Sequence, residues 1–227
     1  MNDFVPLKMQ ILALEELQKS LSSQENCILL VGKSGLGKSF LLNKLCKDDK
    51  FTLFSQPFFD ENAFCKALCG VIGEKDLNFE CLYNKFKNSQ KAYVFVCDEV
   101  GMYEENLLEK IRILSDLPQL CFILSTHKKQ GILNKEHFAS RIHKEIWLKS
   151  LNLDDLSLYV KEKFAHLKLD KAQLKWLLKI SDSNLRSIDK ILTTFQKLFH
   201  FYAQEKQAKS ATKILKMSAL HHKLLTI

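Results

Sequence analysis

The residues best suited to chemistry lie close together between positions 32 and 39. They are Gly32, Lys33, Ser34, Gly35, Leu36, Gly37, Lys38 and Ser39, and they include three of the chain's seven glycines. Because glycine has no Cβ, successive backbone N–H groups can turn inward around phosphate oxygens. The spacing matches G-x-x-x-x-G-K-[ST], in which Lys38 reaches the β- and γ-phosphates and Ser39 ligates Mg²⁺. The sequence has no N-K-x-D-like guanine signature, so it predicts a site for ATP with Mg²⁺.

A second pair of chemical groups, Asp98 and Glu99, ends the apolar run 93–97. A carboxylate at the carboxyl end of a core strand can hold Mg²⁺, usually through water, and we assign this role to Asp98. Glu99 would then orient and polarise the attacking water. Because a glutamate directly follows the aspartate, we expect hydrolysis rather than transfer to an acceptor. The alternative is a solvated acidic pair that closes a strand.

Four apolar runs predict the strands that position these groups. They are 27–31, 51–55, 92–100 and 119–126. Helical patterns cover most of 1–26, the stretch from the glycine-rich segment to Lys47, and 60–72, 79–87 and 106–114. Strands that alternate with helices at this spacing predict an α/β fold with a parallel, doubly wound sheet.

The pattern changes after about residue 150, where no further strand run follows. Helical periodicity covers 154–167, 171–180 and 184–203, and Asp170 and Ser183 stand where N-caps belong. We therefore predict a nucleotide-binding core over 1–150, a helical lid over 151–205 and a basic tail over 206–227. Apolar Ile214, Met217, Leu220 and Leu224 lie roughly on one face of the tail, and its neighbourhood holds Lys206, Lys209, Lys213, Lys216 and Lys223. The tail is either a docked final helix or a basic arm for DNA or an anionic surface.

The composition limits the classes of protein that this chain can represent. The chain has 227 residues, of which 46% are hydrophobic and 26% charged, as in ordinary globular proteins. The net charge of +8 is a mild bias toward nucleic acid or an anionic membrane surface. No apolar run approaches the roughly 18 residues of a membrane span. The seven cysteines are odd in number and end at Cys121, which favours reduced thiols over a disulfide framework. We expect a cytoplasmic protein, with peripheral association at the inner membrane left open.

Together these features resemble the AAA+ ATPases, which combine a P-loop, a strand ending in Asp-Glu and a helical lid. The segment Leu108–Leu117, with the sequence LEKIRILSDL, is similar to the L-E-x-x-R-x-L-S-N-L stretch of the ExeA/GspA-type ATPases. Arg141, then Leu148–Leu151, then Asp154 and Tyr159 resemble the start of the lid in that group. The resemblance covers roughly residues 12–200. Transposition helpers of the TniB and MuB kind and Orc-like initiators share the same broad plan.

The resemblance implies further site residues. Ser125 or Thr126, at the end of the fourth predicted strand, occupies the sensor 1 position, which contacts the γ-phosphate or the attacking water. Arg141 matches the arginine finger, which reaches the nucleotide of a neighbouring subunit. Arg186 matches the sensor 2 position of the lid. His127 follows sensor 1, and its simplest interpretation is an exposed loop residue.

Three functions are open at this point. The first is hydrolysis of ATP to drive a membrane-associated machine of secretion or DNA-uptake (natural transformation) type, with self-association through the nucleotide sites and a protein partner. The second is a DNA-binding ATPase of transposition-helper or replication-loader type, which would bind DNA with little sequence preference. The third is a nucleotide-gated switch with little turnover, because Ser125-Thr126-His127-Lys128-Lys129 departs from the G-Q-P-E-L usual in the ExeA group.

Overall fold

The computed structural model of the protein describes residues 5–75, 77–205 and 209–225. Five parallel strands form one sheet, in the order β2-β3-β4-β1-β5. The strands are β1 (Cys27–Val31), β2 (Phe51–Phe54), β3 (Tyr93–Cys97), β4 (Leu120–Thr126) and β5 (Lys144–Trp147). The predicted α/β fold with a parallel sheet is confirmed.

The fifth strand, β5, was not among the strands predicted from apolar runs. It pairs with β1 at an edge of the sheet, through the register Ile28 to Lys144 and Val31 to Trp147. Its sequence KEIW mixes charged and apolar residues, and Trp147 is largely exposed. An edge strand of four residues buries too little to produce a continuous apolar run, which is why the sequence pattern did not reveal it.

Apart from a four-residue helix at 136–139, which was not predicted from the sequence, the helices that the structure describes follow the predicted pattern closely. They are α1 (Lys8–Ser22), α2 (Lys38–Leu45), α3 (Glu61–Ile72), α4 (Phe79–Lys87), α5 (Glu105–Ser115), α6 (Glu136–Ala139), α7 (Leu153–Lys163), α8 (Lys171–Ile180), α9 (Leu185–Gln204) and α10 (Ala211–His221). Helices α4 and α8 span the predicted ranges without change. The predicted N-cap at Asp170 is confirmed, because its carboxylate accepts a hydrogen bond from the Gln173 N–H in a capping box.

The predicted N-cap at Ser183 is wrong, and the cap of α9 is Asn184. Ser183 has φ 59°, in the left-handed region, and therefore cannot adopt the extended conformation of an N-cap. Asn184 has φ −86° and ψ 109°, and its side-chain oxygen accepts a hydrogen bond from the Ser187 N–H. The helix begins one residue later than the cap prediction required, and Asn184 Nδ2 donates a hydrogen bond to the Ser34 carbonyl.

The chain divides into two compact units. The sheet unit contains residues 12–32 and 38–148, and its core is centred on Phe95 in β3. The ring of Phe95 lies 5.4 Å from Phe122, 5.8 Å from Phe86 and 6.0 Å from both Phe54 and Tyr93. Phe95, Phe86 and Phe122 are almost fully buried. This aromatic cluster joins β2, β3, β4 and α4 and so holds β3 and β4, two of the strands that carry the site.

The helical unit contains Lys33–Gly37, the described residues up to Ile11 and those from Lys149 onward. Within it α10 packs against α9, burying Ile214 and Leu215, and Thr194 and His222 form a hydrogen bond of 2.8 Å between the two helices. The predicted tail therefore contains a docked helix over its described part, while Lys206 lies outside the described residues. Across the described ranges, no helix is long and apolar enough to cross a membrane.

We predict that Phe95→Ala lowers the free energy of unfolding by about 3–5 kcal/mol, because it leaves a cavity among four aromatic rings. Urea denaturation measures the change. Phe59→Ala is the matched control: Phe59 is 69% exposed, and its removal is expected to change stability by no more than about 0.5 kcal/mol. Similar effects of the two substitutions would contradict the assignment of Phe95 to the core.

Candidate nucleotide-binding site

The candidate site in the sheet unit lies at the carboxyl ends of three adjacent strands. Strand β4 pairs with β1 on one side and with β3 on the other. Gly32 follows β1, Asp98 follows β3 and His127 follows β4. The Gly32 N–H donates to the Thr126 carbonyl at 3.1 Å, which continues the β1–β4 ladder by one residue. Parallel pairing therefore brings residues that are distant in sequence to the same edge of the sheet.

Ser39 and Asp98 are in direct contact. The Ser39 hydroxyl donates to Asp98 Oδ2 at 2.6 Å, and Asp98 Oδ1 accepts from the Glu99 N–H at 2.9 Å. The Asp98 side chain is nearly buried, and its backbone N–H donates to the Phe54 carbonyl on the neighbouring strand. The hydroxyl lies in the first turn of α2 and the carboxylate follows β3, and both are the hard oxygen ligands that Mg²⁺ prefers. This pair fits the predicted metal position.

Lys38 is buried beside these groups although its ammonium is charged. It is 5% exposed, it donates to the Gly32 carbonyl at 2.5 Å, and its Nζ lies 3.0 Å from His127 Nδ1. Burial lowers the pKa of Lys38, while the nearby carboxylates of Asp98 and Glu99 act in the opposite direction. A negatively charged ligand would strongly stabilise this buried ammonium, and a nucleotide phosphate carries the negative charge required.

Glu99 has a strained backbone. Its φ of 55° and ψ of 37° lie in the left-handed region, which costs a residue other than glycine about 1–3 kcal/mol. Its side chain is 43% exposed, and its Oε1 lies 3.8 Å from His127 Nε2. Strain of this kind persists where the surrounding structure holds it, and here the Asp98 carboxylate accepts the Glu99 N–H.

In the helical unit, the glycine-rich segment contacts the start of α9. Gly35 has φ 78°, and a Cβ on it would lie 2.0 Å from the Asn184 side-chain oxygen. The Leu185 N–H donates to the Gly35 carbonyl at 2.9 Å, and Asn184 Nδ2 donates to the Ser34 carbonyl at 3.3 Å. Glycine is therefore required at position 35 both by the backbone conformation and by the close approach of Asn184.

The same segment is held on its other side by Gln10, whose Nε2 donates to the Leu36 carbonyl at 3.1 Å. Gly37 has φ 87°, and a Cβ there would lie 2.3 Å from Gln10 Nε2. In a trans peptide the carbonyl and the following N–H point in opposite directions. Since the carbonyls of Ser34, Gly35 and Leu36 face Asn184, Leu185 and Gln10, the N–H groups of residues 35–37 point away from these partners, as a phosphate-binding loop requires. Lys33 forms an exposed ion pair of 3.2 Å with Asp182.

The two hydroxyls proposed for sensor 1 belong to buried residues, and that of Thr126 already has a hydrogen-bond partner. Ser125 is fully buried, and its Oγ has no hydrogen-bond partner among the residues that the structure describes. Thr126 is nearly buried, and its hydroxyl donates to the Lys128 carbonyl at 3.0 Å. His127, the next residue, has its Nδ1 3.0 Å from Lys38 Nζ. The sensor 1 role of Thr126 stays a prediction.

The two predicted arginines are both exposed. Arg141 Nε lies 2.5 Å from Asp116 Oδ1, and Asp116 also lies 3.6 Å from Arg112 Nη1. Asp116 and Arg112 belong to the LEKIRILSDL segment, so this segment holds the arginine proposed as the finger. Arg186 lies in the first turn of α9, two residues after Asn184. Their roles at the nucleotide stay predictions.

The comparisons with known proteins support the fold. Residues 19–130 match a family model described as an AAA domain. Domain III of the replication initiation protein DnaA from Thermotoga maritima is 18% identical, with a TM-score of 0.55, over 98% of this chain and 93% of that chain. The Aeropyrum pernix Orc1 protein, solved in complex with DNA, is 14% identical, with a TM-score of 0.64, over 97% and 68%. The Thermotoga maritima RuvB Holliday junction branch migration motor is 13% identical, with a TM-score of 0.51, over 92% and 68%.

The chain therefore has the AAA+ P-loop fold with a helical C-terminal region, as the sequence predicts. No curated protein sequence matches the chain. The comparisons do not distinguish the ExeA/GspA type, which stays a prediction.

Sequence analysis did not predict four contacts of the candidate residues. Gln10 and Asn184 contact the glycine-rich segment, Asp116 contacts Arg141, and His127, interpreted from the sequence as an exposed loop residue, contacts Lys38. Asn184 carried a usable signal, since asparagine before a helix is a frequent N-cap. Gln10 carried none, because its partner Leu36 is 26 residues away and the contact depends on the folded chain.

We predict that Gly35→Ala weakens the binding of a fluorescent ATP analogue at least tenfold and lowers the free energy of unfolding by about 1–2 kcal/mol. The new Cβ is strained at a positive φ and overlaps Asn184. Fluorescence titration and urea denaturation measure the two effects.

Gly70→Ala is the control for this substitution. Gly70 lies inside α3, and a Cβ there has no neighbour within 4 Å among the described residues. Alanine is favoured over glycine in a helix, so this variant is expected to gain about 1 kcal/mol of stability with unchanged affinity. Normal affinity in Gly35→Ala would show that the loop does not bind phosphate.

Proposed function

We propose that this protein is a Mg²⁺-dependent ATPase. The observation that carries the proposal is the 2.6 Å contact between Ser39 and Asp98, which joins the glycine-rich segment's hydroxyl to the carboxylate that ends β3. The alternative interpretation, a solvated acidic pair at the end of a strand, does not account for the burial of Asp98 against this hydroxyl. The proposal keeps the division into a core over 1–150, a lid over 151–205 and a tail over 206–227.

Each group has a separate task in the proposed reaction. The N–H groups of the glycine-rich segment and the Lys38 ammonium bind and orient the phosphates. Ser39 and Asp98 hold Mg²⁺, which neutralises phosphate charge when it is bound. Glu99 accepts a proton from the attacking water as the water adds to the γ-phosphorus, and the bond from the γ-phosphorus to the bridging oxygen breaks to release phosphate and ADP. The exposure of the Glu99 carboxylate leaves it accessible to that water.

We predict that Glu99→Gln lowers ATP turnover by at least a hundredfold while the affinity for ATP changes less than threefold, because the amide retains the side-chain shape but cannot accept the proton. Phosphate release and fluorescence titration separate the two quantities. Lys38→Ala is the contrasting variant and is expected to lose affinity as well. Turnover in the wild type no faster than in Glu99→Gln would reject the ATPase and leave a nucleotide-gated switch.

We also propose that the active form is an oligomer in which Arg141 acts on the nucleotide of a neighbouring subunit. The ion pair with Asp116 holds the Arg141 guanidinium at the surface of its own subunit, where 44% of the side chain is exposed. An exposed guanidinium can approach a second chain with little rearrangement. In such an assembly the guanidinium stabilises the charge that develops on the transferring phosphoryl group.

A mixing experiment tests this arrangement. Arg141→Ala and Glu99→Gln should each be inactive alone, whereas a 1:1 mixture should recover about one quarter of wild-type turnover, since one random interface in four pairs an intact Glu99 with an intact Arg141. Arg112→Ala, which removes the other cation near Asp116, is the control and should retain turnover. An inactive mixture, or an active Arg141→Ala protein, would reject action between subunits.

The setting in which the ATPase works is proposed from two separate observations. The resemblance of LEKIRILSDL to the ExeA group supports a helper of a membrane-associated machine of secretion or DNA-uptake type, working with a protein partner from the cytoplasmic side. The exposed Lys213 and Lys216 of α10 support the alternative, a DNA-dependent ATPase, and the similar Orc1 protein was solved in complex with DNA. The machine is our first proposal, because it follows from a more specific sequence feature.

DNA binding at low salt distinguishes the two settings. If α10 contacts DNA, Lys213→Glu/Lys216→Glu should make the plot of log binding constant against log salt concentration less steep, by the equivalent of about two phosphate contacts. It should also weaken binding to all duplex sequences alike. Lys66→Glu/Lys87→Glu, which reverses two exposed lysines elsewhere, is the matched control. Absence of DNA binding and of DNA-stimulated turnover would reject the alternative. A pull-down with the Glu99→Gln variant in the presence of ATP would then identify the protein partner.

A further inference from the structure

His127 lies between the two groups that the proposed reaction uses most directly. Its Nδ1 is 3.0 Å from Lys38 Nζ, and its Nε2 is 3.8 Å from Glu99 Oε1. The residue follows β4, the strand that separates β1 from β3 in the sheet. Its ring therefore spans the distance between the lysine that follows β1 and the glutamate that follows β3.

The contact with Lys38 determines which ring nitrogen carries the proton. An ammonium group can only donate hydrogen bonds, so Nδ1 must be the acceptor in this contact. A neutral imidazole that accepts through Nδ1 carries its hydrogen on Nε2, the nitrogen that faces Glu99. The 3.8 Å separation exceeds a hydrogen bond, and a small rotation of the exposed Glu99 side chain would close it.

The backbone of Glu99 explains why such a partner is needed. Its left-handed conformation fixes where the side chain starts, but the carboxylate itself is 43% exposed and has several rotamers. A general base must lie within hydrogen-bond reach of the water that it activates. The Ser125 and Thr126 hydroxyls are buried and do not supply this orientation, whereas the His127 Nε2–H faces the carboxylate.

We propose that His127 is a positioning residue: Lys38 sets its tautomer, and its Nε2–H orients the Glu99 carboxylate for attack of water on ATP. This inference rests on the proposed ATPase function. It replaces the interpretation of His127 as an exposed loop residue with one in which its two ring nitrogens couple the lysine of the phosphate-binding segment to the proton acceptor.

Kinetics of three substitutions test the proposal. His127→Ala should lower kcat about tenfold or more with KM and the affinity for a fluorescent ATP analogue changed less than twofold, because orientation is lost while phosphate binding remains. His127→Gln keeps a donor nitrogen at the ε position and should restore kcat to within about threefold of the wild type. His127→Asn is too short to reach Glu99 and should resemble His127→Ala.

His143 provides the matched control, because it is exposed in the same unit and precedes β5. His143→Ala should have wild-type kcat and KM. Unchanged kcat in His127→Ala, or a rise in KM with kcat unchanged, would overturn the positioning role while leaving the ATPase intact. No turnover in the wild type would instead reject the proposed function.

The tautomer provides a readout that does not depend on turnover. In ¹⁵N-labelled protein above pH 7.5, the signal that His127→Gln removes should show a protonated Nε2 and an unprotonated Nδ1, and Lys38→Ala should weaken this preference. A protonated Nδ1 in the wild type would overturn the proposal, because the ring could not then accept from Lys38.

Discussion

The parallel pairing of β4 with both β1 and β3 is the constraint on which the candidate site depends. It aligns the carboxyl ends of three strands, so that Gly32, Asp98 and His127 emerge side by side although they are up to 95 positions apart. Hydrogen bonds between strands fix this register, and a shift of one residue would turn every side chain to the opposite face. The aromatic cluster around Phe95 holds β3 and β4, together with β2, from within the core.

Strain and burial are concentrated where the proposed reaction takes place. Glu99 adopts a left-handed conformation, and Lys38 keeps an ammonium in a buried position that lowers its pKa. Each is unfavourable in isolation, and each is offset by a specific neighbour. Asp98 accepts the Glu99 N–H, and the Gly32 carbonyl accepts a hydrogen bond from Lys38. Such features are expected at a functional site, where geometry is held at some cost in stability.

The glycine-rich segment is shaped by partners outside its own sequence. Its carbonyls accept from the Asn184 side chain, the Leu185 N–H and the Gln10 side chain. The first turn of a helix has N–H groups without helical partners, and α9 uses one of them on the Gly35 carbonyl. The segment and the start of α9 thus satisfy each other's hydrogen-bonding groups. A change in the conformation of either one would therefore break hydrogen bonds of the other.

The sequence by itself determined the fold class and most element boundaries, and it singled out Ser39 and Asp98 as candidate Mg²⁺ ligands, because periodicity and motif spacing depend on neighbouring residues. Strand β5 was not predicted from the sequence, because a short edge strand with charged residues produces no apolar run. Only the tertiary structure placed His127 between Lys38 and Glu99, joined Arg141 to Asp116 and brought Gln10 to the Leu36 carbonyl. These contacts join residues 25 or more positions apart, and no local pattern encodes which distant groups the fold brings within 4 Å of each other.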